Sequence, residues 1–393
     1  MVETGRAQVP GGGASGLDLE SGLDLHAEAM RVTWRWAVVA AVVTGLAAVP
    51  ALAGALPADG SDASAEQLLA QVRASSTVAW SGYGESRGSL VLPDVRELAE
   101  LPGLLGGATR TRAWWRGPDD WRVDALTLVG ETDTTRDAAG GWTWESADRR
   151  AVRLDGELDV RLPAAADLMA PTLGLRLAGT SDTTVSRLPA RRVAGRGADG
   201  LRLTPRDPAA TTIGSVDLWV DPASGLPLQV EVRAVGESSP SVTATLLDLD
   251  LSVPPPERTR FVPAADATTV TGTAPDLAAL ADRFAPYQLP SELTGLPRRA
   301  RSSLSTGGGV GTYGDGFTAL ALVPVPQDLA HRVIERVDPE DSDDVAQIST
   351  PLVNGVVGIG QRGRAYLLVG SVPVDRLEDA LEVLRDNPPR RVR

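Results

Sequence analysis

A chain of 393 residues, 42% hydrophobic and 23% charged, has the length and composition to bury a core in each of two or three domains. Its formal net charge of −13 excludes a phosphate-binding surface spread over the molecule, which needs a cationic field. Cysteine and lysine are absent and histidine occurs only as His26 and His331, which excludes disulfides, thiolate or Schiff-base chemistry, a Walker lysine and any multi-histidine centre within one chain.

Residues 1–32 are glycine-rich and acidic, and read as a disordered cytoplasmic tail or a misassigned start. Residues 36–56 then run for 21 positions without a charge, with Arg31 and Arg35 before them and Asp59, Asp62 and Glu66 after. That asymmetry leaves the amino terminus inside and everything downstream outside the cytoplasmic membrane. Two readings stay open for residues 33–56. One is a signal peptide that starts at Met30 and is cleaved after Ala51-Leu52-Ala53; the other is a retained single transmembrane helix.

The next segment, residues 64–253, begins with a helix over 65–75, where Ser64 is an N-cap and Leu68, Leu69 and Val72 form one stripe. Strand-like runs follow at 77–92, 108–116, 121–128, 132–137, 141–146, 149–154, 193–204, 215–220, 228–233 and 242–253. Residues 97–106 and 162–178 are apolar and broken by proline, which suits lids over a sheet. The hairpin at 215–233 has the clearest alternation. Val216, Leu218, Val220, Leu228, Val230 and Val232 point one way, and Asp217, Trp219, Gln229, Glu231 and Arg233 the other, with Pro222 and Gly225 shaping the turn. The same counting puts Trp115, Trp121, Val123, Trp142 and Trp144 on one face with those aliphatics, either as core beneath the lids or as the lining of an acyl groove. Trp219 is expected on the outer face, as an exposed edge or an interface residue rather than part of a cavity.

The runs SGYGESRGSLVLPDV, TRAWWRGPDDWRVD and LVGETDTTRDAAGGWTWESADRRAVR, followed by the DPASGLP hairpin, resemble in order the amino-terminal domain of the RseB/MucB-type regulators, which share the LolA half-barrel. The resemblance implies an α+β protein with a LolA-like, strongly curved antiparallel half-barrel, lid helices, and a concave side that holds acyl chains. It implies no catalytic residue, and no cofactor is expected.

Residues 254–295 open with a proline-rich stretch, read as a linker, and contain a short helix at 275–286 with Leu277, Leu280 and Phe284 on one side. Residues 296–388 read as a small βαββα domain, with strands at 318–323, 353–360 and 364–370, helices at 328–337 and 373–385, and a solvated acidic loop at 338–344. Gly309, Gly311 and Gly314 match G-x-G-x-x-G, but an apolar strand follows instead of a helix, so the motif is a turn. His331 and Glu335 are too few for a metal site. Residues 306–326 look like the start of the second domain of RseB-type proteins, which implies contact with a membrane-anchored anti-sigma factor.

The expected function is therefore a non-enzymatic, extracytoplasmic sensor or regulator that binds the acyl chain of a lipid or lipoprotein, with no nucleic-acid partner. A lipid carrier and a pure protein-interaction module are the alternatives. A carboxylate hydrolase built on Glu131 and Asp133, or on Glu145 and Asp148, is disfavoured because these residues read as solvated turn and outer-face positions.

Overall fold

A computed structural model describes residues 60–91, 101–127, 130–138, 140–154, 163–272, 287–299, 309–337 and 344–391. The chain divides into two compact units, Met1–Leu56 and Pro57–Arg393, and the described residues all belong to the second. The tail, the apolar segment 33–56, the helix expected at 275–286 and most of the acidic loop lie outside the described residues. No helix among the described residues is long and apolar enough to cross a membrane.

Helix α1 (Ala65–Ala74) starts with a capping box: the Gln67 amide donates to Ser64 Oγ at 3.2 Å, and the Ser64 amide donates to Gln67 Oε1 at 2.7 Å. Strand β1 (Trp80–Gly88) and helix α2 (Leu101–Gly106) precede a meander of β2 (Ala108–Gly117), β3 (Asp120–Leu126), β4 (Glu131–Asp137), β5 (Gly140–Glu145) and β6 (Arg150–Leu154). Helix α3 (Ala170–Ala178) leads into a second meander, β7 (Thr183–Val193), β8 (Arg196–Pro205), β9 (Ile213–Val220), β10 (Pro227–Ala234) and β11 (Val242–Asp250). Helix α4 (Pro256–Thr259) and strand β12 (Thr268–Gly272) complete this part.

All twelve strands form one large curved sheet in the order β12-β6-β5-β4-β3-β2-β1-β11-β10-β9-β8-β7. No sheet among the described residues closes into a barrel, and the fold is α+β with far more strand than helix, as the sequence implies. Every pairing is antiparallel except β12 with β6. Helices α1 and α3 cover one face, called the inner face below. Leu68 and Val72 of α1 join Met169, Ala170 and Ala178 of the α3 segment in a core with Leu201, Leu218, Leu228, Val230, Ala244 and Leu246. Two glycines permit this contact. A Cβ on Gly174 of α3 would lie 2.6 Å from Pro227 Cβ, and Gly225 has φ +74° where a Cβ would stand 2.5 Å from the Gln71 carbonyl of α1.

Strands β7 and β12 are additions to the expected set. In β7, Pro189 and three arginines blur the alternation; the register with β8 shifts between Leu188 and Arg191. The run expected at 193–204 is split by a turn at Ala194 (φ 48°) and Gly195 (φ 74°), so β8 starts later.

The carboxy-terminal part holds the short strands β13 (Tyr287–Gln288), β14 (Glu292–Leu293) and β15 (Leu296–Pro297), then β16 (Gly311–Asp315), β17 (Thr318–Val325), helix α5 (Gln327–Val337), β18 (Val345–Ser349), β19 (Asn354–Ile359), β20 (Ala365–Gly370), helix α6 (Val374–Asp386) and β21 (Arg390–Arg391). Its five-stranded sheet runs β16-β17-β20-β19-β18, so the expected βαββα core is extended by β16 and β18. Helix α6 buries Leu377, Leu381 and Leu384 against Val356 and Leu368, while α5 packs Ala330 and Ile334 against Val357 and Leu367 on the other face. The G-x-G-x-x-G run lies in β16 and its approach, with no helix after it.

This part docks on the large sheet just ahead of β9. Thr211 Oγ1 donates within reach of two carbonyls, Phe317 at 2.5 Å and Ser371 at 2.9 Å, and Thr212 Oγ1 donates to the Leu352 carbonyl at 2.6 Å.

Leu218 is fully buried between β8 and β10. Leu218→Ala is expected to destabilise the protein by about 2–5 kcal/mol, read as a lower midpoint in urea denaturation followed by circular dichroism.

Candidate functional site

The inner face carries a row of three tryptophans. Trp80 on β1 stands opposite Trp115 on β2, and Trp115 opposite Trp121 on β3. The rings stack along the row, Trp80 to Trp115 at 6.3 Å and Trp115 to Trp121 at 5.6 Å between centroids. Trp80 is 1% exposed, whereas Trp115 and Trp121 are half-buried. The Trp121 indole N–H donates to the Pro118 carbonyl at 3.1 Å, which fixes the outermost ring. Val123 is buried opposite Ala113 on the same face.

The structure thus brings Trp115, Trp121 and Val123 together with Val216, Leu218, Leu228, Val230 and Val232 in one apolar cluster. It does not bring Trp142 and Trp144 there. Trp142 pairs with Thr135 and Trp144 with Asp133, and those β4 residues pair with Arg122 and Asp124, whose side chains leave the opposite face. A one-residue difference in register moves a whole strand's side chains to the other side, and the β4–β5 connection sets the register that puts both rings outside. There they meet Phe261, at 5.5 Å and 6.0 Å between centroids.

Phe261 belongs to the proline-rich stretch expected as a linker. This stretch crosses the outer face as a strap: α4 packs on β2, β3 and β4, the Arg116 guanidinium bonds the Pro254 carbonyl, and the Arg258 guanidinium lies 5.7 Å from the Trp114 ring.

Trp219 is on the outer face as expected but only 2% exposed. The bend in β7 carries the chain over β9, so that the Arg191 guanidinium sits 3.7 Å above the indole and the Pro189 carbonyl accepts its N–H at 3.2 Å. Beside it Asp217 and Glu231, also read as solvent-facing, are buried. Arg202 grips Asp217 with a fork of 2.6 and 2.7 Å, Arg233 bonds both carboxylates, and Arg191 reaches Glu231 at 2.8 Å.

A second acidic group lies on the outer face of β3 and β4. Asp124 and Asp133, directly opposite one another, are each 3% exposed, so Asp133 is not the solvated residue that its turn-rich surroundings imply. Arg122 donates to Asp124 at 2.5 Å and to Asp133 at 2.7 Å. Burial, then the charge of Asp124, push the Asp133 carboxyl up to about 7. The other pair considered for hydrolysis separates: Glu145 faces Arg150 at 3.5 Å, and Asp148 is exposed. His331 is exposed, with its Nδ1 atom 2.9 Å from the Gln327 carbonyl of its own helix.

Grooves in the described surface include two near the carboxy-terminal part. One, of about 750 Å³, lies between the end of the β7–β8 pair and the carboxy-terminal part, with Arg206, Asp207, Arg298, Arg299, Asp315 and Arg376 along it. The other, of about 580 Å³, lies beside Asp344, Gln361 and Arg385. Neither borders the tryptophan row.

No family model and no curated protein matches the sequence. Among solved structures the chain is similar to the MucA/MucB complex of Pseudomonas aeruginosa, at 19% identity and a TM-score of 0.46 over 80% of this chain and 96% of that one. It is similar also to MucB in a further crystal structure, at 17% identity and a TM-score of 0.44 over 80% of this chain and 95% of that one. A LolA superfamily protein of Nitrosomonas europaea is similar at 16% identity and a TM-score of 0.25, over 51% of this chain and 98% of that one.

Asp217, itself buried, accepts from both Arg202 and Arg233. Asp217→Ala removes this shared acceptor, while Arg202 can reach water and Arg233 keeps Glu231, and is expected to destabilise the protein by about 1–3 kcal/mol, measured by urea denaturation against the unsubstituted chain.

Proposed function

We propose that this chain is a non-enzymatic binding protein, positioned outside the cytoplasmic membrane, that receives the acyl chain of a lipid or lipoprotein and reports it to a membrane-anchored anti-sigma factor. The observation that carries the binding half is the stacked tryptophan row, whose outer two rings stay half-buried while α1 and α3 cover the inner face over β7, β8, β10 and β11. In this reading Trp115 and Trp121 form the contact surface and Val123 its floor. Val216, Leu218, Leu228, Val230 and Val232 act from beneath, as the wall against which the helices rest. Trp142 and Trp144 are outside the site.

Burial of one methylene contributes about 0.8 kcal/mol, so a short stretch of acyl chain on two indole faces gives weak binding unless the helices yield further apolar area. A ligand that displaces α1 or α3 would disturb β9 and β10, which those helices cover, and β9 follows the threonines that anchor the carboxy-terminal part. Such a linkage supports a sensor over a simple carrier. The anti-sigma partner rests on the resemblance of residues 306–326 to RseB-type proteins, and the extracytoplasmic position on the charge asymmetry around residues 33–56.

The test uses the compact unit 57–393 and a fatty acid bearing a quenching label on its chain. Saturable tryptophan quenching is expected, lost in Trp121→Ala and retained in Trp144→Ala. Absence of quenching, together with binding of an anti-sigma extracytoplasmic domain that the fatty acid does not alter, would leave a protein-interaction module in place of a lipid sensor.

A further inference from the structure

The acidic group on β3 and β4 has no part in the acyl site. Glu131 precedes Asp133 by two residues and shares its face, and one carboxylate oxygen from each of Asp124, Glu131 and Asp133 lies within 4.8 Å of the others. Arg122 takes both oxygens of Asp124 and the Oδ2 atom of Asp133. It leaves Asp133 Oδ1 sealed from solvent with no hydrogen-bond donor. A buried acceptor without a partner is costly, and like charges directly opposite on neighbouring strands repel. Three carboxylates outnumber the one guanidinium that bonds two of them, and a divalent cation would neutralise the excess negative charge.

We propose that Asp124, Glu131 and Asp133 form a binding site for one divalent cation of the oxygen-seeking kind, with calcium as the ion that tests it. Calcium binds oxygen at about 2.3–2.6 Å, so two oxygens on one ion stand at most about 5 Å apart, and the three carboxylates fall inside that span. Asp133 Oδ1 supplies the inner ligand, Arg122 positions Asp124 and Asp133 from one side, and half-buried Glu131 closes the site toward water, which completes the coordination. Trp144 stands opposite Asp133, Arg112 opposite Asp124, and α4 packs over the same strands, so a bound ion would also brace the strap.

The experiment uses the full chain in a non-ionic detergent, with terbium(III) as the luminescent probe excited through tryptophan and calcium chloride as competitor. Sensitised emission that calcium displaces is expected, with an apparent calcium dissociation constant of about 0.1–1 mM, as in extracellular sites. Asp133→Asn should weaken both ions at least tenfold, and Glu131→Gln at least threefold. Should Asp133→Asn fail to fold by circular dichroism, Glu131→Gln decides, because its side chain lies at the rim. Absent emission, emission that calcium leaves unchanged, or unchanged affinity in Glu131→Gln would overturn the proposal.

Discussion

The pairing of β1 governs the large sheet. Among the described residues this strand is the seam between the meander of β2 to β6 and that of β7 to β11, so its register decides whether two apolar faces become one core. A bulge between Tyr83 and Gly84 makes the match: Gly82 opposes Leu249 and Gly84 opposes Leu246. Residues three apart on a regular strand point to opposite faces; the extra residue lets Leu246 and Leu249 both reach the inner core and turns Leu247 outward, half-exposed. Glycine at 82 and 84 serves the same end. A Cβ at Gly82 would collide with the Asp248 carbonyl, and one at Gly84 would stand only 3.1 Å from the Thr245 carbonyl.

The outer face is closed by arginine. Where lysine would offer a single ammonium, the guanidinium forks match carboxylate pairs and lie flat on indoles. Arg202 on Asp217 uses the first property and Arg191 over Trp219 the second. A lysine-free chain can therefore bury Asp217, Glu231, Asp124 and Asp133 on a sheet face that alternation alone assigns to solvent.

That distinction explains what was legible in the sequence. The 215–233 hairpin could be read because period-2 alternation and the turn chemistry of Pro222 and Gly225 agree, and the observed pairing of Val230 with Leu218 and Val232 with Val216 follows from both. Alternation reports a side, not a cover: Trp219 and Asp217 are on the side expected, and their burial comes from β7 and from arginines remote in sequence. The side itself fails across several turns. Trp142 and Trp144 were separated from Trp121 by two strand connections, each of which can shift parity by one, and no pattern within β5 records the sum. Trp80 was missed for a related reason, because its place in the row depends on the β1–β2 register. Strand β12 pairs in parallel with β6 across more than a hundred residues, and its short TTVTG run carries no local sign of that partner.

The strap gives the two faces a common mechanical path. From β11 the chain crosses the outer surface, sets Phe261 against Trp142 and Trp144, and then enters the sheet edge as β12 beside β6. At the other end of the sheet, Thr211 and Thr212 hold the carboxy-terminal part at the base of β9. Strands β3 to β5 therefore lie between the half-buried indoles on one side and the strap on the other, and β9 lies between the helix-covered core and a docked domain. A change in what covers the inner face can reach the carboxy-terminal part through these threonines, through Phe317 and Leu352, which join the inner core, and through Ser181 just after α3, whose hydroxyl donates to Asp315 at 2.8 Å. The arrangement favours transmission through the strand backbones over any closing motion of the sheet itself.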